Sequence, residues 1–304
     1  MRVAGVMTSV ARATYWFTAT LCAELVSHVP VLEGPLVRVG AAVWHLPKAG
    51  RFYRSVAGRY ADRLRQSHSQ FRRVMVGDTP LIVDITEFTT STLFFGNVAY
   101  EPETTDYLRQ RLRPGAIFAD IGANHGYFAM LAASLVGDRG RVFAFEPNPR
   151  VHEQLENHVR LNGFESRVVL LEEALWDKRG EQRLFVSQWK ENSGVSTLMP
   201  GASLFAEGGV SPEQTITVRT ETFDCWLAAS GIERVDLVKI DTEGSETQVV
   251  RGMSDALRAR RVGAVVCETR WDGEAHQLLC ESGFAPRPLE TNGAVTNIVY
   301  ELPQ

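Results

Sequence analysis

The chain is predicted to be an α/β protein, a mostly parallel sheet flanked by helices and preceded by a helical extension. Three observations carry that expectation. From Pro114 onward, apolar strand-like runs alternate with amphipathic runs of helix length, the signature of βαβ units. A tight turn spanning Gly122 and Gly126 separates the first of these strands from its helix. The 304 residues exceed the usual single domain, and one large α/β domain with an extension accounts for them.

Residues 1–70 read as the helical extension and 71–304 as the main domain. The most apolar stretch, "ATYWFTATLCAELVSHVPVLEGPLVRVGAAVWHLP", is interrupted by Glu24, His28, Glu33 and Arg38 and by Pro30 and Pro35. It lacks the run of about 18–20 apolar residues that a spanning helix needs, and a small-residue cleavage site that a signal peptide needs. These helices are expected to pack on the core or on a second copy of the chain, with peripheral membrane contact as the alternative. The arginines of "RFYRSVAGRYADRLRQSHSQFRR" read as a solvated helix face.

"RRVMVGDTPLIVDIT" alternates around a Gly-Asp turn signal and predicts a hairpin that introduces the main domain. Strands are then expected near 116–121, 141–146, 167–172, 235–241 and 262–268, with a final pair near 283–289 and 294–301. Residues 176–220, rich in Ser, Gly and Thr, break this rhythm and predict extra strands and a long loop. Its part at 188–212 reads equally as a lid or as plain disorder.

Composition excludes some functions. The net charge is −4, read as a slight acidic excess spread along the chain, which argues against a general affinity for nucleic acid. Cys22, Cys225, Cys267 and Cys280 are scattered, with no C-x-x-C pair and no histidine at ligand spacing. That pattern predicts a reducing, cytoplasmic setting.

In "FADIGANHGYFAMLAAS", glycines replace side chains where a ligand must approach the backbone, and the following helix offers free N–H groups. In "GRVFAFEPNPR" the second strand ends in Glu146, where an acid accepts hydrogen bonds from both hydroxyls of a ribose. Turn and acid together predict a nucleoside. The glycine that admits a pyrophosphate in the dinucleotide fingerprint is replaced by Asn124, and Asp120 precedes the turn, where a carboxylate suits a cationic amino acid. A cofactor with a ribose and an amino acid tail but no phosphate is S-adenosylmethionine.

Four segments, "FADIGANHGYFAMLAA", "GRVFAFEPNPRVHEQLENHVRLNGF", "EEALWDKRGEQRLFV" and "VDLVKIDTEGSETQVVRGM", resemble in order and spacing the FkbM-type family of S-adenosylmethionine-dependent methyltransferases. The resemblance covers roughly 95–300, including the upstream "YEPET". It implies the class I methyltransferase fold, a Rossmann-like seven-stranded sheet with its last strand antiparallel. By position, Asp120, Gly122, Ala123, Asn124 and Gly126 would line the methionine end of the cofactor. Glu146 would hold the ribose, Pro147 and Asn148 would shape the next turn, and Glu173 and Ala174 would lie near the adenine.

A methyl on a sulfonium is already electrophilic, so the protein must orient a nucleophile, exclude water and, for a hydroxyl, supply a base. "LVKIDTEGSE" places Lys239, Asp241, Glu243 and Glu246 around one strand-to-helix turn at the cofactor edge. Asp241 is the expected base or acceptor anchor, and also borders the cofactor; Glu243 is next, and Lys239 is a partner for either acid. Glu246 reads equally as an acid in the first helical turn. A magnesium ion on Asp241, Glu243 and Glu268 is the alternative, though a site without metal is favoured.

His125 is a second candidate base, against a plain loop role, while His152 and His158 are expected on the surface of their helix. Trp271 reads either as a wall of the acceptor pocket or as packing.

"DTEG" stands where methyltransferases of DNA amino groups carry an Asn/Asp-Pro-Pro-aromatic run, so a nucleic-acid acceptor is not expected. The resemblance implies O-methylation of a hydroxyl on a small molecule, sugar or glycolipid, as in secondary-metabolite tailoring. An NAD-dependent oxidoreductase and a non-catalytic cofactor-binding module are the competing readings.

Overall fold

Regular alternation from Pro114 onward builds one sheet because each apolar run is short enough for a strand and each amphipathic run covers it with a helix. The computed structural model describes residues 9–76, 79–86, 88–96, 100–187, 196–199, 210–289 and 295–303. The chain divides into two compact units, Met1–Met75 with Ile82–Tyr100, and Val76–Leu81 with Glu101–Gln304.

The first unit holds helices α1 (Ser9–His28), α2 (Glu33–Val43), α3 (Ala49–Gln66) and α4 (Phe88–Gly96); between α3 and α4 along the chain come strands β1 (Phe71–Val76) and β2 (Thr79–Asp84), of which residues 76 and 79–81 count with the second unit. The two strands form the expected two-stranded sheet. Tyr53, Val56, Ala57, Tyr60 and Leu64 bury one stripe of α3. The arginine stretch is only partly a solvated face. Arg51 and Arg54 are exposed, but Arg59 stacks on Trp16, Arg63 pairs with Glu24, and Arg65 donates to Thr86 Oγ1 at 3.0 Å. Long guanidinium side chains reach neighbouring elements that the helix pattern alone does not reveal.

The second unit opens with α5 (Pro102–Arg111), then β3 (Ile117–Ile121), α6 (Tyr127–Val136), β4 (Arg141–Phe145), α7 (Pro149–Leu161) and β5 (Val168–Leu171). Strands β6 (Ala174–Leu175), β7 (Gly180–Ser187), β8 (Ser196–Thr197) and β9 (Val210–Glu221) form a separate four-stranded sheet in the order β6-β9-β7-β8. These are the extra strands expected over 176–220; most of the 188–212 lid segment lies outside the described residues.

After the helix Phe223–Ser230, strands β10 (Leu237–Ile240), β11 (Ala264–Thr269), β12 (Ala285–Pro288) and β13 (Thr296–Glu301) complete a seven-stranded sheet. Its order is β12-β13-β11-β10-β3-β4-β5, with β13 antiparallel to both neighbours. This is the expected class I methyltransferase topology. Ile121, Phe145, Val238, Ile240, Val265, Cys267 and Ile298 form its core, in which Trp226 lies 5.1 Å, centroid to centroid, from each of Phe143, Phe145 and Phe223. Strand order reverses between β3 and β10, so the loops leaving their carboxyl ends diverge and open a crevice.

Candidate functional site

The turn after β3 is shaped by what packs beneath it. Gly122 has φ +80°, and a Cβ there would lie 1.8 Å from the Asp241 carbonyl oxygen. Gly126 has φ +85°, and Asn124 is also left-handed at φ +52°. The amides of Gly122 and Ala123 both donate to the Phe145 carbonyl at 3.0 Å, and the Asp241 amide donates to Ile121 at 3.0 Å. The turn is thus laced to the ends of β4 and β10. Gly122→Ala is expected to destabilise the chain by about 3 kcal/mol, through the left-handed backbone and the carbonyl clash, and to abolish cofactor binding. A thermal melt and a titration of the same sample would check it; a wild-type melt would remove the close approach from the argument.

Glu146, at the end of β4, is buried. Its Oε2 accepts from the Asn124 amide and its Oε1 from the Asn148 amide, each at 2.9 Å. Burial pushes its acidity up to about 7, against the pull of these two amides. Asn148 caps α7, accepting from the Arg150 amide at 3.2 Å, and Pro147 sits between Glu146 and Asn148. Glu173 and Ala174 follow β5, whose last residue Leu171 accepts the Glu146 amide at 3.0 Å. The five loop residues from Gly122, with Glu146, Pro147 and Asn148, therefore form one continuous rim.

His125 belongs to the Glu146 side of that rim. It is buried, its cationic form would stabilise the Glu146 carboxylate, and its carbonyl oxygen lies 2.8 Å from His158 Nδ1. The surface position expected for His158 is corrected by this bond: His158 is buried under the turn, because α7 folds back against it. His152 Nδ1 lies 3.2 Å from the Glu146 carbonyl and is only partly exposed.

The opposing rim is a row of acids around one lysine. Register places Lys239 beside Asp120 across β10 and β3, both buried. Lys239 Nζ donates to Asp241 Oδ2 at 2.8 Å and sits 4.6 Å from the centroid of the Phe128 ring. Asp120 is pushed up to about 7 by burial, with Lys239 opposing and the charges of Asp241 and Glu101 reinforcing the rise. Its Oδ2 is buried with no hydrogen-bond partner.

Glu268, on β11, is pushed well above the usual carboxylate range by the charge of Asp241, then by burial and by Glu243. Glu243 is left-handed at φ +55°, and its carbonyl accepts from Thr197 Oγ1 at 2.7 Å. Glu246 resolves to the helical reading: its Oε1 accepts from the Thr242 amide at 2.9 Å and the Gly244 amide at 3.1 Å, holding the turn together. Trp271 is half exposed and packs 5.0 Å from the His276 ring. Among the described residues, no group of three or more metal-ligating side chains has the geometry to hold a metal ion.

Four residues of this region escaped the sequence reading. Asn297 lies opposite Glu268 in the antiparallel register, and its Nδ2 donates to Glu101 Oε2 at 2.9 Å. Glu101 was visible inside "YEPET", and Asn297 as a polar residue at the start of an otherwise apolar strand. Ser196 and Thr197 reach both rims, since Ser196 Oγ accepts from Asn148 Nδ2 at 3.2 Å while Thr197 holds Glu243. Nothing in their local pattern signalled that bridge.

The residues fit a nucleoside with an amino acid tail. An orphaned, buried carboxylate oxygen on Asp120 awaits a donor, Gly122 leaves no room for a side chain, and Glu146 is held by amides at the strand end.

Comparison with known proteins shows the family of the chain. The methyltransferase FkbM domain matches residues 120–286. The chain is 32% identical over 206 residues to the 31-O-demethyl-FK506 methyltransferase FkbM of Streptomyces tacrolimicus, covering 59% of this chain and 76% of that protein. It is 27% identical over 156 residues to the 2-O-methyltransferase NoeI of Sinorhizobium fredii, covering 49% and 62%. It is 27% identical over 160 residues to the hexuronic acid methyltransferase AglP of Haloferax volcanii, covering 52% and 59%. The chain spans less than two thirds of the length of the last two relatives. With the domain matched from Asp120 near the end of β3 through to β12, the chain belongs to the FkbM-domain family of methyltransferases.

Proposed function

We propose that the chain is an S-adenosylmethionine-dependent O-methyltransferase acting on a hydroxyl of a small molecule or glycan. The observation that carries this reading is the pairing of two rims across the β3/β10 crevice, an amide-held acid for a ribose on one side and an ion-paired acid on the other. Bound there, S-adenosylmethionine supplies a methyl group already activated by its sulfonium.

The contacts support the following roles. Asp120, with its partnerless oxygen, receives the cofactor's ammonium group, and the Gly122–Gly126 turn admits the methionine backbone. Glu146 takes the ribose hydroxyls on its remaining lone pairs, Pro147 and Asn148 hold its loop, and Glu173 and Ala174 border the adenine. Asp241 orients the acceptor hydroxyl and removes its proton, with Lys239 fixing the carboxylate through Oδ2 and leaving Oδ1 to face the acceptor. Glu268 and Glu243 complete the acidic wall on the same side.

Calorimetric titration with S-adenosylhomocysteine and, separately, with NAD tests the reading. Micromolar binding of the first alone is expected. Binding of NAD alone would return the site to an oxidoreductase, and binding of neither would remove the nucleoside altogether. Tight cofactor binding without turnover on any hydroxyl panel, unaltered by magnesium, would leave a binding module.

A further inference from the structure

Helix α1 has two apolar sides, and among the described residues only one is covered. Ala19, Ala23 and Val26 are buried where α1 lies along α3. The flank is tied down as well: the Arg59 guanidinium sits 4.4 Å from the centroid of the Trp16 ring, and its Nε donates to Thr20 Oγ1 at 3.0 Å. Phe17, Leu21 and Leu25 recur every four residues on the other side and stand 70%, 55% and 56% exposed. Three large apolar side chains in one exposed row mark an interaction surface rather than scattered apolar residues.

Charge identifies what covers it. Residues 1–75 contain eleven Lys and Arg against three Asp and Glu, while the rest of the chain contains 21 against 33. The even spread expected from the net charge is therefore corrected: the acidic excess lies wholly outside the N-terminal helices. Lys48, Arg51 and Arg54 are exposed in the same unit as the apolar row. A second copy docking through this face would oppose one cationic unit to another, and nucleic acid would leave the apolar row in water. Among the described residues no helix is long and apolar enough to cross a membrane. An apolar stripe within a cationic unit is the composition of a helix lying in the plane of an anionic bilayer.

We propose that the N-terminal unit docks on an anionic membrane surface, with Phe17, Leu21 and Leu25 in the acyl boundary and the unit's exposed Lys48, Arg51 and Arg54 on lipid headgroups. Docking does not depend on the methyl-transfer reading, and vesicle binding measures it without any acceptor.

The full chain is sedimented with vesicles of phosphatidylcholine alone and with vesicles containing phosphatidylglycerol. Wild type is expected to pellet with the anionic vesicles and about tenfold less with the neutral ones. The combined variant Phe17→Ser, Leu21→Ser, Leu25→Ser is expected to stay in the supernatant with an unchanged circular dichroism spectrum. Lys48→Glu with Arg51→Glu, off the apolar row, is expected to lower binding about tenfold, and decides the matter alone if the triple variant does not fold. Wild type remaining in the supernatant, or a folded variant pelleting as well as wild type, overturns the proposal. So does a vesicle-free dimer, seen by light scattering, that the triple variant dissociates.

Discussion

Asp241→Asn is expected to lower turnover on a hydroxyl acceptor by roughly 10²- to 10⁴-fold, while S-adenosylhomocysteine affinity stays within about threefold. The amide keeps the shape and can still accept from Lys239, so the fold around the Lys239 ammonium, buried against Phe128, has a partner to close on. What it removes is a proton acceptor at the crevice. Single-turnover rates with saturating cofactor separate this from weaker acceptor binding. Should affinity for S-adenosylhomocysteine fall in step with the rate, Asp241 serves the cofactor and the division between the two rims is wrong. Lys239→Met tests the same pair from the other side. It strands the Asp241 carboxylate beside Glu243 and beside Glu268, which the charge of Asp241 already raises, and is expected to cost both stability and rate.

A second large effect is the pH dependence of the cofactor site. Asp120 and Glu146 are both pushed by burial up to about 7, above their ordinary values of 3.8 and 4.5. In the ligand-free chain such raised acids contribute stability that is fully present below their unfolded values and lost as pH rises through about 7. The melting temperature without ligand is therefore expected to fall between about pH 4 and 7 and to level off above that. Cofactor binding is expected to move the opposite way, because the ammonium group proposed to sit on Asp120 would favour the ionised carboxylate.

For one acid of this strength, affinity for S-adenosylhomocysteine is expected to rise about tenfold from pH 6 to pH 8. Asp120→Asn should weaken binding and flatten that rise, leaving only the part owed to Glu146. Titrations across the range decide it: a flat profile in wild type would mean that neither acid meets the cofactor.

Much of this site was legible in the sequence because it is local. A strand run, an acid and a glycine turn lie within a few residues of each other, and the spacing from Asp120 to Glu146 is one βα unit. Short apolar runs and turn chemistry also placed all seven strands of the main sheet close to where they lie, since the central strands are buried on both faces and read as near-continuous apolar runs. The reading of Glu246 as an acid in the first helical turn, one of the two that the sequence left open, came from its place after the strand, and its bonds to Thr242 and Gly244 accompany that place.

Other features were decided only when distant segments met. His158 has the sequence context of a surface helix residue, and becomes buried because α7 folds under the first turn, where its ring reaches the His125 carbonyl. Asn297 joins Glu268 through an antiparallel register between strands separated by a helix, and Glu101 through a bond across most of the second unit. Ser196 and Thr197 bridge the two rims from a strand of two residues, too short for any period to announce. Sequence by itself determined the elements, their order and the residue types at the strand ends, because these depend on near neighbours. Tertiary structure alone decided which acids share a charge field and which carry an unmet hydrogen bond, because burial and electrostatic coupling depend on groups brought together across the sheet.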